Sequence, residues 1–497
     1  MPNPFTRARA LALLGALPLA ACSINPEPIG DVELKEQALH RLQRASEIRT
    51  PVVGTLTLAA AIRRAVLYNL DHQVEIYEAA VRQAELGVSS AAMLPGLVAG
   101  ASSTARDNKL ASSSFNTVTQ VQNFGASTSQ DRHLRSADLA LSWNILDFGL
   151  SYVRARQAAD KVMIAEENRR RIVLKLIEDV RTAYWRAYAA EQLHERMARL
   201  EQRTAAALGR ARRQASDRET SPITAITYRR EILEIQRVVR ELQRELVSAK
   251  IQLAMLINEK PNARFRLAAP RPGGLGGELK RSPAALIAIA MERRPELREI
   301  VYRRRINARE LDAALLELLP GIQLFAGPNF DSNSYLLHDH WVSWGAKASW
   351  NLMRLFQYPR RREMIEAHDA VLEQRDRALT LTVMTQVYVS RARLAIMLRE
   401  LQTARSYAVT QASLLRHIRA EHAEGRISEQ TLLREELNDV VGQVRKHLAS
   451  ANVESARAAV AASIGSDPPD YGEAGELEPG NASAWRARVV TASHGKR

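Results

Sequence analysis

The chain has 497 residues, of which 46% are hydrophobic and 25% charged, so it can bury a sizeable core in two or more structural units and lacks the composition of a disordered protein. Its net charge is +15, but arginines alternate with glutamates along the predicted helices and aromatic residues make up only 5%, which argues against a nucleic-acid-binding protein. A single cysteine excludes an internal disulfide and any multi-cysteine metal site.

The N-terminal residues have the pattern of an export signal. Two arginines precede an apolar stretch at residues 10–19, which is too short to cross a bilayer as a helix. The stretch ends in small residues followed by Cys22, a pattern that resembles the bacterial lipoprotein signal, in which the cysteine is diacylated and becomes the first mature residue. Ser23 follows rather than an aspartate, which in lipoproteins implies sorting to the outer membrane. We therefore predict a signal peptide at residues 1–21 and a lipid on Cys22; an ordinary secretory signal is the alternative.

An internal duplication organises the rest of the chain. Thr57–Arg106 aligns without a gap onto Ser282–Asp331 at an offset of 225 residues, and Trp143–Asn258 aligns onto Trp350–Gly465 at an offset of 207 residues. The first repeat therefore has 18 extra residues between Arg106 and Trp143, in a polar segment that predicts a surface loop. The predicted units are a lipid-anchored extension at 22–56, a first repeat at 57–260, a linker at 261–281, a second repeat at 282–465 and a disordered tail at 466–497.

Each repeat is predicted to contain one helix, two strands joined by a loop, and two further helices. The strand predictions rest on the alternation of apolar and polar residues, which is clearest from Leu139 to Ile145 and from Val342 to Trp350. Partner strands are predicted at 96–105 and 321–330. Each strand has about the ten residues that a tilted membrane strand needs. A small soluble sheet is the alternative, because the pattern of a single strand is a weak signal.

The helices that follow each strand pair are predicted to be long. Residues 148–214 contain no proline and could form a helix of about 100 Å, while Pro222 and Gly425 mark the reversals into the last helices. After Cys22 no run of about 18 apolar residues occurs, so a membrane-spanning part would have to consist of strands, and four strands cannot close a barrel without oligomerisation. One last helix has the spacing of a coiled coil, at Ile232, Ile235, Val239, Leu242, Leu246, Ala249, Leu253 and Leu256.

Three groups of residues together resemble a known family. They are the pairs Leu94-Pro95 and Leu319-Pro320, the strand Leu139 to Trp143 continuing into residues 144–149, and Gly425 followed by Ser428, Leu432 and Leu433. Over residues 57–465 the chain is similar to the TolC family of outer-membrane efflux and secretion ducts. The resemblance implies a mixed α+β fold with long antiparallel coiled-coil helices in a periplasmic helical barrel. It also implies four membrane strands per chain, contributing to a trimeric 12-stranded β-barrel.

The resemblance further implies the location, partners and function. It implies a homotrimer in the outer membrane with a large periplasmic part, working with a periplasmic adaptor and an inner-membrane pump. We expect contact with outer-membrane lipid, no nucleic acid, and no cofactor beyond the covalent lipid on Cys22. The predicted function is a passive exit duct of a tripartite efflux or export system. The alternatives are a structural coiled-coil envelope lipoprotein without a pore and a type I polypeptide secretion duct; the exported substrate and the pump class stay open.

The chain departs from the family pattern at the first helix of each repeat and at the tip. The usual Asn-Pro pair is split, because Leu70 follows Asn69 and Arg294 precedes Pro295, and Arg218 stands where the first reversal usually has a glycine. Some family members carry acidic residues soon after the second glycine, but Thr431 and Arg434 occupy that neighbourhood here, so a cation-selective carboxylate ring is not carried over. The predicted tip and aperture residues are Glu424, Gly425, Arg426 and Arg434.

No enzyme is predicted from the motifs of the chain. It contains no phosphate-binding loop, no Gly-x-Ser-x-Gly elbow and no His-Glu-x-x-His pair. His338 and His340 flank Asp339 and could offer two imidazoles to a metal ion, but they lie in a short polar segment between two predicted strands. We therefore interpret these three residues as part of a solvated loop and predict no metal site.

Overall fold

The computed structural model describes residues 28–46, 51–214, 222–270 and 281–466. The chain divides into two compact units, Met1–Pro51 and Val52–Arg497. The predicted signal peptide with Cys22, the first reversal with Arg218, residues 271–280 of the predicted linker and residues 467–497 of the predicted tail lie outside the described residues. In the first unit, the described element is helix α1 (Asp31–Ser46).

The first repeat contains paired short helices, strands and two longer helices. The elements in chain order are β1 (Thr55–Leu56), α2 (Leu58–Tyr68), α3 (Leu70–Ala91), β2 (Gly96–Ala105), β3 (Ser112–Asn116), β4 (Val121–Ser127), β5 (His133–Asn144), α4 (Ile145–Gln214) and α5 (Pro222–Leu256). The short strand β6 (Arg266–Leu267) follows within the predicted linker and pairs in parallel with β1. Part of the segment predicted as a polar loop between β2 and β5 forms the antiparallel hairpin β3–β4.

The second repeat has the same order of main elements, as the duplication predicts. They are α6 (Pro283–Arg293), α7 (Pro295–Leu316), β7 (Gly321–Asp331), β8 (His340–Ser349), α8 (Met353–Ala423) and α9 (Glu429–Ser463). With 70 residues in α4 and 71 in α8, each of these helices is about 105 Å long at 1.5 Å per residue. The predicted length of the long helices is therefore confirmed.

The prediction of one helix before each strand pair is wrong, because both helices are broken. Asn69 has an extended backbone (φ −63°, ψ 130°), and its side-chain oxygen accepts hydrogen bonds from the backbone N–H groups of Asp71 and His72. Arg294 has nearly the same backbone angles (φ −67°, ψ 125°), and it has no side-chain cap. Here the break arises because the ring of Pro295 disfavours helical angles at the residue before it. The helices are therefore broken at equivalent positions of the two repeats, by a side-chain cap in the first and by a proline in the second.

Each break packs against the end of the last helix of its own repeat. The amide nitrogen of Asn69 donates to the carbonyl of Leu256 at 3.2 Å, and the guanidinium of Arg294 donates to the carbonyl of Ala462 at 2.9 Å. The two helix ends have left-handed residues at equivalent positions, Asn258 (φ 51°) and Gly465 (φ 64°). The duplicated residues thus build the same junction twice.

Four strands form one antiparallel sheet in the order β2, β5, β7, β8. Each repeat supplies one adjacent pair of strands, and the β5–β7 pairing joins the two repeats. Strand β2 has the predicted bounds, and the other three overlap their predicted ranges. The two-stranded sheet of β1 and β6 is separate from this larger sheet.

The long helices pack side by side as coiled coils. Helix α4 contacts α5 and α9, and α9 also contacts α8, so α9 lies between the two long helices. Nearer the sheet, α4 contacts α3 and α7, and α7 also contacts α8. Buried residues of α8 recur every seven positions, the spacing of a left-handed coiled coil, at Val387, Leu394, Leu401, Ala408 and Leu415.

A buried tyrosine fixes the small sheet of β1 and β6 to α4. The hydroxyl of Tyr184 lies 2.7 Å from the carbonyl oxygen of Leu56 and 2.8 Å from that of Ala268. Its side chain is fully buried among apolar residues of α2, α4 and α5. Because burial disfavours the phenolate, the pKa of Tyr184 is raised to about 12.

Candidate functional site in the sheet and at the helical reversal

One face of the four-stranded sheet is apolar over most of its length. Directly opposed residues share a face, so Leu324 lies between Trp143 and Ala346 on the same side. This face, called the apolar sheet face below, consists of Leu97, Ala99, Ala101, Ala137, Leu139, Leu141, Trp143, Ile322, Leu324, Ala326, Pro328, Phe330, Val342, Trp344, Ala346 and Ala348. None of these residues is charged, and the side chain of Trp344 is 82% exposed. Arg135 and His340 mark the end of the face away from the helices.

The opposite face of the sheet is mixed and mostly polar. Asp138 lies opposite Asn329 on that side, and Gln323 lies opposite Lys347. The amide of Asn329 donates a hydrogen bond to the hydroxyl of Ser343 at 2.8 Å. Phe325 also lies on this face, so it is not purely polar. A sheet with one uncharged apolar face and one polar face suits a boundary between lipid and water.

Both outer edges of this sheet are open. Among the described residues, no strand pairs with the outer edge of β2 or with that of β8. An open edge presents a row of unpaired backbone N–H and C=O groups. In a hydrocarbon environment each such group without a partner costs several kcal/mol. The sheet of one chain therefore needs further strands if its apolar face contacts lipid.

The predicted tip residues Glu424, Gly425 and Arg426 lie together at the reversal between α8 and α9. Gly425 has φ 74°, which a residue without a side chain adopts at no steric cost. The N–H of Arg426 donates to the carbonyl of Glu421 and that of Gly425 to His422, which is the hydrogen-bond pattern of a Schellman cap. Ser428 then begins α9 by accepting the N–H of Thr431. The reversal is thus closed on both sides by local hydrogen bonds.

The charged tip residues are engaged in ion pairs rather than free. Arg426 pairs with Glu424 at 2.7 Å, and both side chains are more than half exposed. Arg434, further along α9, pairs with Glu231 of α5 at 2.7 Å. Gln430 also donates to Glu231. These hydrogen bonds, that from Gln430 first, hold the pKa of Glu231 below its ordinary value.

Sequence reasoning selected Arg434 but missed its partner Glu231. Neither the helical spacing nor the duplication marks Glu231, because the pair joins α5 of the first repeat to α9 of the second. Such a contact depends on how the helices pack and leaves no local pattern in either one. The equivalent reversal of the first repeat, at residues 215–221, lies outside the described part of the chain.

The hairpin between β7 and β8 is exposed. The side chain of His340 is 83% exposed, and its Nδ1 lies 2.6 Å from a carboxylate oxygen of Asp339. Within the residues that the structure describes, no group of three or more His, Cys, Asp or Glu side chains could hold a metal ion. Among those same residues, no helix is both long enough and apolar enough to cross a membrane.

Comparisons with known proteins identify the fold. No protein-family model matches the chain, and no curated protein matches it. Solved structures do match it, among them those of three channel proteins. The CmeC outer-membrane channel of Campylobacter jejuni is 12% identical, with a TM-score of 0.64 over 88% of this chain and 95% of that one. The open state of the MtrE outer-membrane channel of Neisseria gonorrhoeae is 15% identical, with a TM-score of 0.62 over 82% and 89%.

The third similar structure is that of CusC, a protein that forms a transmembrane channel. It is 15% identical, with a TM-score of 0.62 over 85% of this chain and 96% of that one. All three similarities extend over most of both chains. The mixed α+β fold expected from the sequence is confirmed, and the chain has the fold of outer-membrane channels that its resemblance to the TolC family implied.

Proposed function

We propose that the chain is the outer-membrane exit duct of a tripartite efflux or export system and conducts solutes passively. The observation that carries this proposal is the four-stranded sheet with an uncharged apolar face, a mostly polar opposite face and two open edges. The apolar face suits lipid and the polar face suits a water-filled lumen. The fold shared with CmeC, MtrE and CusC supports the same conclusion.

The long helices suit the periplasmic part of such a duct. At about 105 Å, α4 and α8 are more than three times the ~30 Å thickness of the hydrocarbon core. They start directly after β5 and β8, so a sheet inserted in the outer membrane would leave the helices projecting from one side of it. We propose that this side is the periplasm, where an adaptor and an inner-membrane pump would complete the system.

The open sheet edges support a homotrimer. If β8 of one copy pairs with β2 of the next, every backbone group of the ring is satisfied and no edge remains in lipid. Three copies with four strands each give the twelve strands that the family resemblance implies. A closed ring of identical copies also matches the symmetry of most soluble homo-oligomers.

The duplication predicts which helices meet between copies. Within one chain, the amide of Gln157 on α4 donates to the carbonyl of Ile306 on α7 at 3.1 Å. Applying the offsets of 207 and 225 to these two residues gives Met364 on α8 and Val81 on α3. Met364 is 61% exposed and Val81 is 55% exposed, so an apolar side chain lies uncovered at each position. We propose that Met364 of one copy contacts Val81 of the next.

The same conversion applies to the parts of the long helices that lie further from the sheet. Thr182 of α4 is hydrogen-bonded to Ser455 of α9 at 2.9 Å, and the offset of 207 converts this pair into Val389 on α8 and Ser248 on α5. Exposed apolar residues recur along both helices around these positions, so each helix has an uncovered apolar surface. They are Leu381, Tyr388, Val389, Ile396, Tyr407 and Leu414 on α8, and Met255, Ile251, Val247, Leu233, Ile226 and Ile223 on α5.

We further propose that a lipid on Cys22 anchors the chain to the outer membrane. The pattern before Cys22 is that of a lipoprotein signal. Two acyl chains give stable anchoring, whereas an inserted barrel stays in the membrane without them. The variant Cys22→Ala should therefore lose labelling by radioactive palmitate while trimers remain in the outer membrane. Label retained by the variant would contradict the anchor.

Single-channel recording in a planar bilayer tests the proposed function. The purified full-length protein should give discrete conductance steps in salt solution. The absence of steps from correctly assembled protein would favour the structural envelope lipoprotein, a coiled-coil spacer without a pore. Conductance alone does not separate an efflux duct from a type I polypeptide secretion duct. Reconstitution with the pump and adaptor encoded by adjacent genes would separate them by the substrate that is exported.

A further inference from the structure

A cavity of about 670 Å³ lies between the long helices α4 and α8, with α9 at its base. Five arginines and two carboxylates line it, so the lining has an excess of positive charge. These residues are Arg196, Arg199, Arg203, Arg416, Arg419, Glu436 and Asp439. The other lining residues are mostly apolar, and walls of low dielectric strengthen the field between them. The cavity therefore has the size of a small-molecule site and attracts anions.

A regular series of residue pairs between α4 and α9 runs through this cavity. At steps of seven residues along the two antiparallel helices, the pairs are Arg210 with Glu429, Arg203 with Glu436, and Arg196 with Gln443. The first two are ion pairs, and the third has an amide in place of the carboxylate. The amide oxygen of Gln443 accepts from Lys446 at 2.9 Å. The third step therefore has positive charge on both helices.

The carboxylate of Glu436 shows how the cavity holds an oxyanion. Its side chain is 9% exposed and is bound by Arg203 from α4 and by Arg419 from α8, the latter at 3.2 Å. Arginines of both long helices thus reach one anion beside α9. Guanidinium groups donate to carboxylate and phosphate oxygens with the same paired geometry. An oxyanion of the phosphate type can therefore be held in the same way.

A second set of arginines lies one helical turn closer to the sheet. Arg199 and Arg416 each precede, by about one turn, the arginine that binds Glu436 from the same helix. Arg199 lies 4.0 Å from Glu195, and both of these side chains are more than two thirds exposed. Among the described residues, Arg416 pairs with no carboxylate, and Asp439 forms no ion pair with the arginines of the cavity. These arginines are therefore available to a ligand.

The second repeat lacks this concentration of charge. At the offset of 207, the equivalents of Arg196, Arg199 and Arg203 on α8 are Thr403, Ser406 and Thr410, and that of Arg416 on α4 is Gly209. The long helices of the two repeats therefore form with or without arginine at these positions. The presence of the arginines in a single groove of each chain indicates a role other than helix packing.

The cavity lies away from the contacts proposed between copies. At this level of α8 those contacts involve Tyr407 and Leu414, whereas Val409 and Arg416, each two residues further on, line the cavity. Two residues turn about 200° around an α-helix, so the two pairs lie on opposite sides of α8. The other walls are α4 and α9, which are not among the helices proposed to meet between copies.

The position of the cavity along the helices indicates a soluble ligand. Helix α4 starts at Ile145 beside the sheet, so Arg199 lies about 80 Å along it at 1.5 Å per residue. A lipid headgroup in a membrane around the sheet does not reach this distance. An anion at this site therefore comes from the aqueous phase.

We propose that this cavity binds a soluble polyvalent oxyanion of the phosphate type. Arg196 and Arg199 hold it from α4, and Arg416 holds it from α8. The bound anion joins the two long helices across α9, as the carboxylate of Glu436 does one turn nearer the reversal. This proposal does not depend on conduction, because it concerns a site within one chain.

Calorimetric titration of the full-length protein in detergent with inorganic pyrophosphate tests the site. The wild-type protein should bind one pyrophosphate per chain. Arg416→Gln should raise the Kd about tenfold or more, since a charge-assisted hydrogen bond is lost. Arg399→Gln, at an exposed arginine of α8 outside the cavity, is the matched control and should leave the Kd unchanged. No binding by the wild-type protein, or equal Kd values for all three proteins, would overturn the proposal.

A second variant tests the site without removing an arginine. Gln443→Glu places a carboxylate opposite Arg196 and continues the series of ion pairs, so it should also raise the Kd about tenfold. Gln402→Glu makes the same change of charge at an exposed position of α8 outside the cavity and should have little effect. Unchanged binding by Gln443→Glu would contradict the site. Binding of a hexaglutamate peptide without binding of pyrophosphate would assign the cavity to an acidic protein partner instead. Trimer yield and conductance of the same samples report separately on the proposed duct.

Discussion

Helices α4 and α8 occupy equivalent places in the two repeats, but their equivalent sides differ in chemistry. The side of α4 that contacts α7 is charged, with Asp160 bound by Arg305 at 2.9 Å and by Arg309, and Glu167 bound by Arg298 at 3.2 Å. The offsets convert these residues into uncharged ones on α8 and α3. In the same order they are Ala367, Ala80, Ala84, Gln374 and Gln73.

This difference agrees with the proposal that the first contact lies within a chain and the second between chains. A contact within the folded chain is intramolecular, so it can contain charge pairs whose desolvation consumes most of their attraction. A contact between copies must also overcome lost translational and rotational freedom, and permanent interfaces are accordingly more apolar. After the duplication, these five charged residues of the first contact have uncharged equivalents at the second, which supports our proposal that the second contact is a subunit interface.

The largest effect should come from a charge placed at the proposed interface. Met364→Asp would bury an unpaired carboxylate between copies and should abolish most of the trimer, because such a group costs several kcal/mol. Native gel electrophoresis of detergent-purified protein measures the loss. Val301→Asp, at a 60% exposed position of α7, is the control and should assemble normally. Normal trimers of Met364→Asp would remove this face from the interface.

The second largest effect should come from the charged contact within the chain. Asp160→Asn leaves Arg305 and Arg309 without their carboxylate, which is 4% exposed, and should lower the free energy of unfolding by about 3 kcal/mol. Thermal unfolding followed by circular dichroism measures the change. The control is Asp179→Asn, which breaks the pair between Asp179 (42% exposed) and Lys175 (62% exposed). It should lower the free energy of unfolding by at most about 1 kcal/mol. Equal losses would mean that burial does not distinguish the two pairs.

The sequence predicts the strands, the long helices and the duplication, because each leaves either a periodic pattern of apolar residues or a repeated stretch of sequence. The bounds of β2 are an example, since Gly96 and Ala105 were predicted as its limits. The helix breaks were missed because Asn69 interrupts its helix through a single side-chain cap. The pair of Glu231 with Arg434 could not be predicted, since it arises only when α5 and α9 pack together.

A third comparison concerns Tyr184, whose equivalent in the second repeat is Arg391. Tyr184→Phe should cost about 1 kcal/mol, since the hydroxyl that lies between the carbonyls of Leu56 and Ala268 is lost, while the Leu56 carbonyl keeps the N–H of Ala268. Because folding raises the pKa of the hydroxyl from 10.0 to about 12, its stabilisation is complete below pH 10 and is lost as the pH rises through 12. Urea unfolding of the wild-type protein and of Tyr184→Phe at pH 8 and pH 11 measures how much the free energy of unfolding of each changes with pH. An identical pH dependence of the two would contradict a buried, neutral Tyr184.

The smallest effect concerns the tip, where Arg434 has Thr227 as its equivalent in the first repeat. Arg434→Asp changes the charge by minus two per chain and breaks the pair with Glu231, so it should shift the reversal potential toward cations without lowering the trimer yield. Adding Glu231→Arg reverses the pair and should return the potential toward the wild-type value. An unchanged reversal potential in both variants, with normal assembly, would mean that Arg434 does not face the conduction path.

The most direct measurement is a disulfide between copies at the proposed interface. In a Cys22→Ala background, Met364→Cys with Val81→Cys should give covalently linked trimers on mild oxidation, and these should conduct in a planar bilayer. Val88→Cys in place of Val81→Cys lies seven residues, about 10 Å, further along α3 and should link poorly. Linked trimers from the first pair alone are the predicted result. No intermolecular link from that pair, or equal linking by both, would contradict a duct closed by α8 and α3 of neighbouring copies.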